Sequence, residues 1–206
     1  MLFDLDGTII DSYPGIQKAF DNAFYKVYNV RNTTSIKSLI GPPIDKILFN
    51  CNGETDPDKI DLFVNQFKEC YDTEDLKCSI LYDGVRELLQ ELQRKQVRMF
   101  IVTNKRERPT KLIMEFLNLE NYFCDFYCSD SKGIYSSKEL IVQDLLKIET
   151  VAPSDSILVG DTLQDKRAAS YNNVSFVYAA YGYGALEDIE YKVEKPLEIL
   201  NLINYI

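Results

Sequence analysis

Two rhythms of apolar residues divide the chain. From Ser12 to about Ser79 they recur at helical spacing: Ile16, Ala19, Phe20, Ala23, Phe24 and Val27 fall at i, i+3, i+4 and i+7, behind Ser12 as a candidate N-cap and with Pro14 in the first turn. A second stripe, Ile60, Phe63, Val64, Phe67 and Tyr71, opens at Pro57. Between the two, Ile40-Gly41-Pro42-Pro43 must turn, and a short helical piece from Ile44 to Phe49 follows. From Leu81 onward, short apolar runs alternate with amphipathic helices, the mark of parallel strands joined by crossover helices. The predicted strands are Met99 to Val102, Phe126 to Cys128, Ile157 to Val159 and Val174 to Tyr178, with Leu2, Phe3 and Leu5 ending one more. The helices between them carry Val85, Leu88, Leu89 and Leu92, then Leu112, Ile113 and Phe116, then Ile141, Leu145 and Ile148. The expected fold class is α/β: an open, parallel, Rossmann-like sheet flanked by helices, with an all-helical domain inserted after the first strand. The expected boundaries are 1–12 and 81–206 for the sheet domain and 13–80 for the insertion.

Charge and composition narrow the chemistry. Among 206 residues, 23 Lys and Arg face 32 Asp and Glu, a formal charge of −9, and there is no histidine. Ser-His-Asp and Cys-His nucleophiles and His-containing zinc sites are therefore excluded, and acid–base work falls to carboxylates, Lys, Tyr or Cys. The acidic balance argues against a nucleic-acid backbone or an anionic membrane as partner. No apolar run approaches the roughly 18 residues of a membrane span, and Asp4 and Asp6 stand where a signal peptide needs basic and then apolar residues. A cytoplasmic protein is expected, with no nucleic-acid and no membrane partner. Five cysteines without a C-x-x-C pair (Cys51, Cys70, Cys78, Cys124 and Cys128) read as reduced, mostly buried thiols.

Open parallel sheets bind ligands beyond the carboxyl ends of their strands. Past the first strand stand Asp4 and Asp6, in Phe3-Asp4-Leu5-Asp6-Gly7-Thr8; past Met99 to Val102 stand Thr103, Asn104 and Lys105; past Ile157 to Val159 stand Gly160, Asp161, Thr162 and, one turn on, Asp165. Two apart in an extended segment, Asp4 and Asp6 share a face while Leu5 points to the core, and Gly7 lets the chain turn steeply. Each cluster alone has a plain structural reading: a solvated turn, a helix N-cap at Thr103-Asn104, or a first-turn aspartate favoured by the helix dipole at Asp165. Their convergence on one crevice is what points to a site.

These clusters resemble the motifs of the haloacid dehalogenase (HAD) superfamily, and the resemblance covers nearly the whole chain. The four motifs look like Asp4-Leu5-Asp6-Gly7-Thr8, then Thr103-Asn104, then a lysine opening a helix, best matched by Lys138 with Lys132 as its competitor, and finally Gly160-Asp161-Thr162-Leu163-Gln164-Asp165. The insertion looks like the family's mobile cap. Ile40-Gly41-Pro42-Pro43, and Tyr181-Gly182-Tyr183-Gly184 after the last strand, are similar to phosphoglycolate-phosphatase-like members, a group that includes enzymes acting on nucleotides and pyrophosphate. The resemblance implies Mg²⁺-dependent phosphoryl transfer through an aspartyl-phosphate. In it Asp4 is the nucleophile, Asp6 the general acid and base, and Lys138 a catalytic cation. Thr103 and Asn104 would hold the phosphoryl oxygens. Mg²⁺ would sit on Asp4, the main-chain carbonyl of Asp6 and Asp161, with Asp165 further out. Only the family parallel assigns the turn Gly41-Pro42-Pro43 to substrate specificity; Lys46 and Arg31 are further candidate cap residues to reach the substrate. The chain departs from the pattern at Tyr171-Asn172-Asn173, where relatives carry a small Ala-Gly pair; Asn can supply the left-handed residue that stops the helix.

The chemistry agrees when reasoned separately. An aspartate with an ordinary pKa near 3.9 is ionised at neutral pH and needs no histidine base. Asp4, Asp161, Asp165 and a phosphate dianion together outweigh Mg²⁺ and Lys138 by about two negative charges. Like charges about 4 Å apart repel by roughly 4 kcal/mol at an effective dielectric near 20. That excess is expected to favour a protonated Asp6, able to donate to the leaving oxygen and then to accept a proton from the attacking water. The expected activity is hydrolysis of a small soluble phosphomonoester of the phosphoglycolate, nucleotide or sugar-phosphate kind. A sugar phosphomutase would use the same residues and is separated by product analysis with a hexose 1-phosphate. A non-catalytic phospho-ligand-binding relative commonly lacks the nucleophile or a metal aspartate, and neither is lost here. A dehalogenase needs neither Asp6 nor a metal-binding Asp161.

Overall fold

The computed structural model describes residues 1–203 apart from Lys132, Ile134 and Ser136. Strand β1 (Leu2–Phe3) opens the chain, and β2 (Ile10–Asp11) leads into helices α1 (Tyr13–Tyr28), α2 (Ile44–Asn52) and α3 (Pro57–Tyr71). The chain returns through β3 (Ile80–Leu81), which runs antiparallel to β2 with Ile10 opposite Leu81 and Asp11 opposite Ile80. Helices and strands then alternate: α4 (Val85–Arg94), β4 (Phe100–Val102), α5 (Glu107–Phe116), β5 (Asp125–Tyr127), α6 (Lys138–Ile148), β6 (Ile157–Gly160), α7 (Leu163–Tyr171) and β7 (Ser175–Ala179). A last strand, β8 (Lys192–Val193), and a short helix, α8 (Ile199–Leu202), follow.

The main sheet has the order β5-β4-β1-β6-β7-β8, and all its pairings are parallel. Central β1 is only two residues long, but its flanks extend the ladder: Phe100 N–H donates to the Met1 carbonyl (3.0 Å) and Asp4 N–H to that of Val159 (2.9 Å). From β1 the chain first builds outward through β4 and β5, then crosses back and builds the other way through β6, β7 and β8. The reversal between β1 and β6 opens a crevice at their carboxyl ends, the place where such sheets take ligands.

Alternation along the strands sorts the core into two layers. Phe3, Ile101, Val159 and Val177 face one side, where Leu88, Leu89 and Leu92 of α4 and Ile113 of α5 cover them. Leu2, Phe100, Val102 and Leu158 face the other, under Ile141, Val142 and Leu145 of α6 and Ala168 and Ala169 of α7. The inserted helices carry their apolar stripes inward: Phe20 of α1 meets Phe63 of α3 edge-on with ring centroids 5.0 Å apart, and this packing is continuous with the first layer.

Several local expectations change. Helix α2 runs to Asn52, three residues past the predicted end, and stops at Gly53 in the left-handed conformation (φ 73°). Ser12 precedes α1 but makes no capping bond with its side chain, because its hydroxyl is spent on Asp6. Strands β2, β3 and β8 were not expected, being two residues each and too short to show a period. The five thiols are free, but only Cys128 is buried, while Cys78 and Cys124 are exposed, so the expectation of mostly buried thiols fails. Helix α7 does stop on asparagines: Asn173 takes the left-handed conformation (φ 54°), and the Asn172 side-chain amide donates back to the Ala168 carbonyl (2.8 Å). Among the described residues no helix is long and apolar enough to cross a membrane.

Candidate active site

After β1 the chain folds back on itself at once. The N–H groups of Thr8, Ile9 and Ile10 all donate to the Leu5 carbonyl, and Gly7 holds φ at 86°. That turn leaves Asp4 and Asp6 on the crevice side. A Cβ on Gly7 would lie 2.3 Å from Oδ2 of Asp161, so glycine here serves both the backbone angle and the close approach of the two loops.

Asp4, Asp161 and Asp165 converge at the crevice, all buried, with carboxylate oxygens within 4.8 Å of one another. The Lys138 ammonium lies among them, 2.6 Å from Oδ1 of Asp4 and 2.6 Å from Oδ1 of Asp165. Burial works to lower the pKa of this lysine, but the charges of Asp165 and Asp4 overcome it and hold the ammonium above its ordinary range. The competitor Lys132 lies outside the described residues.

The other oxygen of Asp165 accepts from the Thr162 N–H (2.9 Å) and hydroxyl (2.5 Å), closing a capping box at the start of α7. With both oxygens engaged, Asp165 orients Lys138 and its own helix.

Asp161 accepts the main-chain N–H of Tyr183 on Oδ2 at 2.7 Å. Burial, and then the charge of Asp165, push its pKa up to about 7 against that hydrogen bond. Asp4 is also raised well above its ordinary value, by burial first, with Lys138 opposing. An ordinary aspartate pKa therefore does not carry over to the nucleophile candidate. Its ionised form depends on Lys138 and on any further cation. All-oxygen ligands at this spacing, short of positive charge, suit a hard divalent cation such as Mg²⁺.

Asp6 meets partners that the sequence did not reveal. The Lys105 ammonium reaches both its oxygens at 2.9 Å and also the Tyr71 hydroxyl at 3.0 Å, while the Ser12 hydroxyl donates to Oδ1 at 2.5 Å. The Asp6 carboxylate thus accepts from two side-chain donors, Lys105 and Ser12, which fix its position. The charge count omitted Lys105, which is buried yet raised in pKa because Asp6 and Tyr71 outweigh its desolvation. Lys105 follows Thr103-Asn104 directly in the sequence, but that adjacency does not say which carboxylate its side chain meets.

Thr103 is buried, and its hydroxyl accepts from the Lys105 N–H (3.1 Å). The Asn104 side chain donates to the Gly41 carbonyl (3.0 Å) and to Oε1 of Gln164 (2.5 Å). It ties the Gly41 loop to the sheet domain and is not free to hold a phosphoryl oxygen, which leaves its main-chain N–H for that role. Gly41 and Pro42 line the cavity above Asp4 and Asp6. Lys46 and Arg31 do not: both are exposed and outside that lining, because Lys46 lies on the face of α2 opposite buried Ile47 and Leu48.

Tyr183 was noted in the sequence only as part of a motif. Besides its N–H bond to Asp161, its hydroxyl accepts the first amides of α1, Ser12 N–H (2.8 Å) and Tyr13 N–H (3.0 Å), and donates to Oδ1 of Asp11 (2.8 Å). Glycine at 182 is required for this approach, since a Cβ there would lie 2.3 Å from the Gly7 carbonyl oxygen.

Known proteins share both the sequence and this architecture. A family profile described as haloacid dehalogenase-like hydrolase matches residues 1–179. A 5'-nucleotidase of Pseudomonas aeruginosa is 26% identical over 190 residues, covering 92% of this chain and 86% of its own. A phosphoglycolate phosphatase of Photobacterium profundum is 30% identical over 190 residues, covering 88% of this chain and 82% of its own. The crystal structure of a predicted phosphatase from Clostridium acetobutylicum superposes with a TM-score of 0.91 at 25% identity, covering 100% of this chain and 97% of its own. With the profile spanning most of the chain and aspartates after β1 and β6 meeting a lysine at the head of α6, the chain belongs to the haloacid dehalogenase-like hydrolase family.

Proposed function

We propose that this protein is a Mg²⁺-dependent phosphatase that hydrolyses a small-metabolite phosphomonoester through an aspartyl-phosphate on Asp4. The observation that carries this reading is the buried Lys138 ammonium bridging Asp4 and Asp165 beside Asp161, at the crevice between β1 and β6. Lys138 holds one oxygen of Asp4, and the other is available to attack phosphorus; the bond to the alcohol oxygen breaks as the new P–O bond forms. Asp6 gives a proton to the departing alkoxide and takes one from the water that later hydrolyses the aspartyl-phosphate. Lys105 and Ser12 keep the Asp6 carboxyl aimed in both steps. The Thr103 hydroxyl, the Asn104 N–H and Lys138 receive the phosphoryl oxygens. Asp4, Asp161 and the Asp6 carbonyl would hold Mg²⁺, which would supply the positive charge that a dianion needs to approach these carboxylates. Residues 13–80 act as a cap over a sheet domain formed by 1–12 and 81–206, hinged at the β2–β3 pair.

The test is the Asp4→Asn variant assayed with p-nitrophenyl phosphate in Mg²⁺. Turnover should disappear while the melting temperature is retained; substantial remaining activity would overturn the assignment.

A further inference from the structure

A cavity of about 390 Å³ runs from Asp4 and Asp6 out between the sheet domain and the inserted helices. Its far wall is aliphatic and aromatic: Ile40, Ile44 and Ile47 from the turn and α2, and Ile60, Val64 and Phe67 from α3. The volume is in the range that holds drug-sized ligands and is far larger than a two-carbon acid requires.

The cations lining it are mostly committed. Lys105 is tied to Asp6, and Arg106 makes a two-pronged pair with Asp72 at 2.9 and 2.7 Å. Lys68 is the lining cation that forms no ion pair among the described residues, and it shares the outer rim with the exposed acids Asp45 and Asp61. A carboxylate on the substrate would lose its hydration against an apolar wall and meet a rim of net negative charge. A flat or bulky neutral group would instead be welcomed by that wall.

From this we infer that the site selects phosphomonoesters whose alcohol portion is neutral, apolar and of aryl or nucleoside size, and disfavours carboxylate-bearing esters such as phosphoglycolate. The inference rests on the reading above that the ester is cleaved at Asp4.

The experiment compares kcat/KM for phenyl phosphate, adenosine 5'-monophosphate and 2-phosphoglycolate in Mg²⁺, and in parallel the melting shift produced by adenosine and by glycolate. The aromatic esters should be preferred by at least about tenfold, a margin that differences in apolar contact commonly reach. Adenosine should raise the melting temperature and glycolate should not. Val64→Lys places a cation on the apolar wall and should narrow the preference, with the melting curve reporting on its fold. Phosphoglycolate turned over as well as or better than the aromatic esters overturns the inference, as does glycolate matching adenosine in the melting shift. If no ester is hydrolysed while adenosine still binds and glycolate does not, the hydrolase reading fails and the apolar subsite stands.

Discussion

Lys105 shows how much a single residue can alter the chemistry of its neighbour. Its ammonium pairs with both oxygens of Asp6 and connects that carboxylate to Tyr71 at the end of α3. Replacing it with methionine keeps the length of the side chain but leaves Asp6 with only the Ser12 hydroxyl as donor. General acid–base catalysis is typically worth 10²–10⁴-fold, so Lys105→Met should lower kcat on p-nitrophenyl phosphate by about 10²-fold through misplacement of Asp6. It should also lower the melting temperature, since a carboxylate left without its cation in a largely buried site is destabilising. Unchanged kcat would remove Lys105 from the mechanism. Thr103 and Asn104 were readable because they follow an apolar strand. The role of Lys105 was not, because adjacency in sequence does not reveal that its side chain bends back to a carboxylate 99 residues earlier.

At the scale of elements, Tyr183 joins three parts of the fold in one residue. Its amide fixes Asp161, while its hydroxyl caps α1 in place of Ser12 and holds Asp11 of β2. The orientation of the Asp161 carboxylate is thus mechanically linked to the start of the inserted helices. Tyr183→Phe retains the ring and the amide but leaves the Ser12 N–H without its acceptor and the Tyr13 N–H with Oδ1 of Asp11 alone. Loss of hydrogen bonds and a cap of this kind costs about 1–2 kcal/mol, to be read from denaturant unfolding. A variant as stable as the parent would show that water replaces the hydroxyl. The strong stripes of α1 and α3 could be predicted because several apolar residues repeat a helical period. The β2–β3 pair could not, because two-residue strands carry no period and are defined only by the partner each one meets.

For the whole molecule, the main electrostatic fact is that buried acids gather at one end of the sheet. In the cation-free protein Asp161 titrates near 7, against 3.8 when free in solution, so the folded state holds an extra proton between those values. The stabilisation from that proton is fully present below about 4 and is lost as pH rises through about 7. A divalent cation competes for the same oxygens and should therefore stabilise more as the proton leaves. Melting temperatures in EDTA and in Mg²⁺ should diverge between about pH 5 and 8, the Mg²⁺ curve lying higher at the alkaline end. A constant gap would mean that Asp161 does not face the cation. The sequence alone determined the α/β class, the parallel strands, the run of helices after the first strand and the aspartates after the first and fourth major strands, because hydrophobic period and strand-end position are local properties of a chain. Tertiary structure decided what those residues meet. It set Lys138 between Asp4 and Asp165, gave Lys105 to Asp6, spent the Asn104 side chain on Gly41, and turned Lys46 outward while Val64 and Phe67 faced the cavity. Such pairings depend on distances between residues far apart in the chain, and on which donors and charges are already committed. Neither is fixed until the layers have packed.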